Sequence, residues 1–401
     1  MKLIDTILQK MSRMSTPQRK FLVTLVTTVQ LLRGKMTCRN VSRSRDLHEK
    51  TSSRHVRQGV DFADVNHVAL TTFLPATTTK IGAIDCTVVP KSGQQTDGLD
   101  SFYHASHRRP EQCLEFSELA VVDVDDGTAY HLSMEQTPDT ATIARLFGRA
   151  GSRVDWSLWH LRQERALFPP EVRYLTADGY DAKRTLVDGV CEFDFHLIRQ
   201  LRHDANLRDL SAGPQQRRGR PKRYDGKIKR TDLRRLTPIP RSDDLSLSTA
   251  VVNSVSVRRD LRLVYVCQRQ GTKLLTALLF STDTALAAED SSRFSTARVQ
   301  IEFLFRDAKQ FMGLADVQVR SPTRILSHVN ASLTALDVLK LEDRMNAQDE
   351  TPHVISISRW KPRKFNEHQL ERFRSTLGLD LSCIKNHPHY EDLINYGSIA
   401  A

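Results

Sequence analysis

The chain has 401 residues, with 59 Lys and Arg against 47 Asp and Glu, a formal net charge of +12. An excess of that size favours a polyanionic partner, nucleic acid or an anionic membrane surface. No apolar run is long enough to cross a bilayer, the nearest being the Thr- and Gln-broken stretch 21–32, and the first residues lack a secretory pattern, so a cytosolic protein with no membrane partner is expected.

Residues 1–77 read as helical. Leu3, Ile4, Ile7, Leu8 and Met11 have helical spacing. Ser15-Thr16-Pro17-Gln18 is a start signal for a helix running to about Arg33 and stopping at Gly34. Lys35, Arg39, Arg43, Arg45, Lys50, Arg54 and Arg57 follow, which suits a small DNA-binding region; a helical cap on the core is the competing reading. Residues 78–200 predict strands at 80–89, 116–124 and 128–134, the last two joined by Asp125-Asp126-Gly127. A helical stretch at 139–167, a strand at 172–177, a short helix at about 180–189 and a strand at 193–199 complete an α/β unit.

Residues 201–287 interrupt that unit with a basic loop and strands at 249–256, 261–268 and 273–280. Between Arg217 and Arg235 lie ten bases and two acids. Arg218-Gly219-Arg220-Pro221 resembles the core of an AT-hook, so Arg218, Arg220 and Lys222 are expected to contact DNA, through phosphates or a minor groove. Residues 288–345 are helical, and the polar region 346–401 predicts one helix at 366–377. The six cysteines (38, 86, 113, 191, 267 and 383) form no C-x-x-C pair and are read as reduced. His104 and His107 around a polar loop, and Cys383, His387 and His389 near the end, are read as surface residues rather than metal ligands.

Three acids stand out. Asp85 interrupts the apolar, β-branched strand 80–89, where an unpaired charge costs several kcal/mol. Asp178 follows the strand 172–177. Glu302 lies on a helix with Arg298 and Lys309, and at ~100° per residue the three fall within about 40° of one another. Ile301, Phe305, Ala308 and Met312 form a separate core stripe.

Two aspartates on strands followed by a glutamate on a helix is the pattern of DDE transposases. Arg298, Glu302 and Lys309 match the spacing R-x3-E-x6-K in the signature Y-x2-R-x3-E-x6-K of bacterial cut-and-paste insertion sequences. The signature Tyr falls on Ser295, with Phe294 beside it. The resemblance covers about residues 15–345. It implies an α/β, RNase H-like core with a mixed β-sheet, a β-rich insertion before the Glu helix, and helical N- and C-terminal regions. It also implies Asp85, Asp178 and Glu302 as catalytic metal ligands, with Mg2+ or Mn2+ (two ions) as cofactor. Arg298, Lys309 and Lys91 would hold the DNA backbone. The partners would be double-stranded DNA at element ends and target, and a second copy of the chain in the synaptic complex, in a bacterial cytoplasm at the nucleoid. The expected activity is end cleavage and strand transfer. A DNA-binding protein that no longer cuts, or a nuclease without strand transfer, are the alternatives.

Overall fold

The computed structural model describes the chain except residues 1, 2, 13, 44–47, 94, 105, 106, 179–183, 203, 215–217, 229–232, 243, 347–354, 379–383 and 399–401. The N-terminal region folds as α1 (Leu3–Gln9), α2 (Thr16–Leu31), α3 (Cys38–Arg43), α4 (Glu49–Gln58) and α5 (Phe62–Phe73). Ser15 caps α2 by accepting from the Gln18 amide at 3.4 Å, with Pro17 in the first turn. The helix ends at Leu31, two residues earlier than expected, because Leu32 turns to extended backbone. Ile4, Ile7, Leu8, Phe21, Leu22 and Val26 join the same apolar core as the sheet, so these helices pack on the rest of the chain. The Gln30 side chain donates to the Ala335 carbonyl at 3.1 Å across that contact.

The sheet begins with β1 (Lys80–Pro90), β2 (Asp100–His104), β3 (Arg109–Asp123) and β4 (Thr128–Gln136). β1 and β4 flank β3, both antiparallel to it, and β2 pairs with the start of β3. The stretch expected as one helix at 139–167 is two, α6 (Thr140–Phe147) and α7 (Arg153–Glu164), ending in a 3-10 turn. Gly148, at φ 82°, breaks it, and the Ser152/Asp155 capping box restarts it. Next come β5 (Tyr174–Ala177), α8 (Arg184–Glu192) and β6 (His196–Gln200). β5 runs parallel to β1, and β6 parallel to β5. Three antiparallel strands followed by two parallel ones make the mixed sheet of an RNase H-like core.

The expected insertion contains β7 (Leu207–Leu210), β8 (Tyr224–Lys227), β9 (Thr237–Ser242), β10 (Leu245–Ser254), β11 (Arg259–Gln270) and β12 (Lys273–Ser281). It does not stand apart as a subdomain. β12 pairs antiparallel with β6, so core and insertion share one 12-stranded sheet. Then come α9 (Ala288–Ala297), α10 (Val299–Phe311), α11 (Pro322–Asn346), α12 (Ile357–Leu377) and α13 (Tyr390–Ile394). The C-terminal helix starts nine residues before the expected 366, running through Pro362. α10 packs on β1, β3 and β4, and α11 on β4. Ile301, Phe305, Ala308 and Met312 are buried as the stripe required, each large side chain contributing about 1.5–3 kcal/mol. Among the described residues no helix is long and apolar enough to cross a membrane.

Candidate active site

β1 is buried through Ile84 because its register places it between β3 and β5. Gly82 lets β5 approach closely: a Cβ there would meet Leu175 Cδ2 at 2.1 Å and Phe168 Cε1 at 2.9 Å. That approach sets Asp85, three residues on, beside Asp178, which follows β5 at the same edge. Asp85 Oδ1 accepts from the Cys86 amide at 2.8 Å, which fixes the carboxylate.

The third acid comes from a break in a helix. α9 and α10 meet at Arg298, which keeps helical φ and ψ of −52° and −34°. Glu302 sits in the first turn of α10, where the helix dipole favours a carboxylate. Arg298 spans all three acids. Its Nη1 lies 3.4 Å from Asp85 Oδ2, and its Nη2 lies 3.8 Å from Asp178 Oδ1 and 2.8 Å from Glu302 Oε1. Side chains of Arg298 and Asp85 are 21% and 17% exposed, against 58% for Asp178 and 52% for Glu302. Asp85 is therefore the floor of the site and the other two its rim. Burial pushes the Asp85 carboxyl up to about 6, against the pull of the Cys86 amide and Arg298.

The residues expected to hold DNA separate into near and far groups. Arg298 is turned onto the acids. Lys309 is half-buried on α10 near Cys113, and burial lowers the pKa of its ammonium. Lys91 donates to the Val317 carbonyl at 2.6 Å, tying the loop after β1 to the segment before α11. Arg218, Arg220 and Lys222 are exposed in the loop between β7 and β8, Lys222 with Asp225 at 2.9 Å. Six strands separate β8 from β1, so that loop lies about 34 Å from Asp85 at ~4.8 Å per strand step. Ser295 is half-buried on α9, and Phe294 is buried with its ring 5.4 Å from that of Tyr174. Phe294 is thus a core residue.

One feature escaped the sequence reading. Glu118 stands cross-strand from Asp85 and is fully buried. His131 Nδ1 lies 2.7 Å from Glu118 Oε1, and His131 Nε2 lies 3.0 Å from Asn330 Oδ1. That amide oxygen also accepts from the Met134 amide, so Nε2 must donate to it. Burial pushes the Glu118 carboxyl well up and His131 down to about 4, so the carboxyl donates its proton to Nδ1 and both groups are neutral. The signal was available: an acid inside an apolar strand is as unusual at 118 as at 85. Cys383 lies outside the described residues, and His389 pairs with Asp392 at 3.1 Å. The cysteines at 38, 86, 113, 191 and 267 are free thiols.

No curated protein matches the chain. A family model, that of the transposase DDE domain, matches residues 77–337. The match spans more than half of the chain and encloses every acid that Arg298 touches, and the protein belongs to the transposase DDE-domain family.

Proposed function

We propose that this transposase cuts phosphodiester bonds at the ends of a DNA element and joins the freed ends to target DNA, using divalent metal held by Asp85, Asp178 and Glu302. The observation that supports this reading is the convergence of three carboxylates, from β1, the end of β5 and α10, on the single guanidinium of Arg298. Three carboxylates outnumber the single charge of Arg298, so the cluster favours further cations. Oxygen-only donors suit Mg2+ or Mn2+. Bound there, such ions supply Lewis acidity and lower the pKa of an attacking hydroxyl.

The chain's own residues do the positioning. Asp85, held by the Cys86 amide, would be the metal ligand at the floor of the site. Asp178 and Glu302, on the exposed rim, face the DNA strand. With the acids occupied by metal, Arg298 would be free to take a phosphate oxygen near the cut, and Lys309, about three turns further along the helix, would take another. Two ends held together require two copies of the chain, as closed assemblies of this kind do.

Glu302→Gln keeps the side-chain volume and removes the charge. We expect it to lower cleavage of labelled element ends in Mg2+ or Mn2+ by at least about 100-fold, with end binding by gel shift unchanged. Parental cleavage by this variant would refute the assignment. Ser295 in place of the signature Tyr favours a second reading, a DNA-binding protein that does not cut. In that case the parent itself shifts the end DNA without nicking it.

A further inference from the structure

The tip of the hairpin between β2 and β3 gathers a second, chemically different group of side chains. His104 closes β2 and pairs in register with Arg109, while Glu111 pairs with Phe102, so His104 and Glu111 point to the same face. His107 sits in the turn. Its Nδ1 is 2.9 Å from Glu111 Oε2, and its ring stacks on that of His104 with centroids 4.2 Å apart. One ligand atom from each of His104, His107 and Glu111 lies within 4.8 Å of the other two. No other three His, Cys, Asp or Glu residues among the described ones meet that condition.

Two further observations point to a ligand. Nδ1 of His104 is buried and has no hydrogen-bond partner, which is unusual for a buried ring nitrogen. Glu111 Oε1 is held by Arg109 Nε at 2.7 Å and Oε2 faces His107 Nδ1 at 2.9 Å, so the carboxylate is oriented toward the two imidazoles. Ligands of metal centres are commonly oriented in this way by an outer partner. His107 Nδ1 and Glu111 Oε2 now share a 2.9 Å hydrogen bond, and an ion replacing that proton would need them to open only to the roughly 3.3 Å that separates two ligands of one tetrahedral ion with ~2.0 Å bonds.

We propose that His104, His107 and Glu111 form a binding site for a zinc-class transition metal, with water completing the tetrahedron. Two imidazoles and one carboxylate are a zinc donor set, and a poor one for Mg2+, which selects oxygen. The site is separate from the catalytic acids. Asp85 pairs with Glu118, and Glu111 lies seven residues further back along β3, about 23 Å at ~3.3 Å per residue. Its effect would be to tie the turn to the strand at the end of the hairpin. This inference does not depend on the catalytic reading.

The test is equilibrium dialysis of the full-length, metal-stripped protein against Zn2+, with Co2+ absorption as a report of tetrahedral geometry. One tightly bound Zn2+ per chain is expected in the parent and in a variant carrying both Asp85→Asn and Glu302→Gln. His107→Ala and Glu111→Gln, both at solvent-accessible positions, should each weaken binding at least about tenfold. A large excess of Mg2+ should not displace the metal. Absence of Zn2+ binding by the parent, full binding by the His107→Ala Glu111→Gln double variant, loss of binding in the catalytic-acid variant, or displacement by Mg2+ would each overturn the proposal.

Discussion

His160 on α7 is fully buried and faces hydroxyls rather than an acid, with Nδ1 3.2 Å from Ser117 Oγ and Nε2 3.0 Å from Ser133 Oγ. Burial, with a smaller push from His131, lowers its pKa to about 3. A base depressed in the folded state stabilises the fold above its unfolded pKa of 6.5 and loses that contribution as pH falls towards 3. At pH 5.5 the loss is about 1 kcal/mol. Chemical denaturation of the parent and of His160→Gln should therefore show the variant gaining about 1 kcal/mol relative to the parent between pH 7.5 and 5.5. The comparison isolates His160 from the buried acids Glu118 and Asp337, whose raised pKa values act in the opposite direction. At this scale the acids were legible, because a charge in an apolar strand and a helical spacing of four and seven need no tertiary information. The contact between Arg298 and Asp85 was not, since 213 residues separate them. Nor was the tie of Lys91 to Val317, which lies 226 residues away.

The parallel pairing of β1 with β5 brings two acids together, and Gly82 is the position that permits it. Its partner Leu175 is fully buried, so the clash made by an added methyl has no solvent to relieve it. Gly82→Ala should destabilise the protein by about 1–3 kcal/mol, read as a lower denaturation midpoint. Cleavage should fall further than stability explains, because Asp85 and Asp178 ride on the two displaced strands. Unchanged stability would mean that β1 does not set the spacing of the acids. Element types followed apolar periodicity closely, as for β1, β4, β10, β11 and β12. Boundaries and breaks did not: the Gly148 kink and the separate α9 arise where glycine geometry and packing override periodicity. β2, β7, β8 and β9 are short or polar strands whose pairing comes from neighbours rather than from pattern.

At the scale of the whole molecule, two groups of exposed bases stand apart from Arg298 and its acids. Arg218, Arg220 and Lys222 lie at the far end of the sheet. Lys50, Arg54 and Arg57 form an exposed stripe on α4. The roughly 34 Å from Asp85 to the β7–β8 loop equals about ten base pairs of duplex. Replacing Arg218, Arg220 and Lys222 with Ala should weaken end binding and lower the slope of log affinity against log salt by about two to three. The lower figure follows if Asp225 already neutralises Lys222. An unchanged slope would remove that loop from the interface. The order of elements and the place of the insertion were readable from sequence, whereas the single sheet was not, because the β6–β12 pairing joins residues about eighty positions apart.

That pairing has a mechanical corollary. A hydrogen-bonded ladder crosses from the half that carries the acids into the inserted half, so if the acids cut and the basic loop grips, cut and grip sit on one continuous sheet. Under that reading, a mismatch in curvature between the two would be absorbed by the nucleic acid. Ends with pyrimidine–purine steps in the intervening turn would deform most easily to fit, and sequence preference would arise at base pairs that no side chain touches.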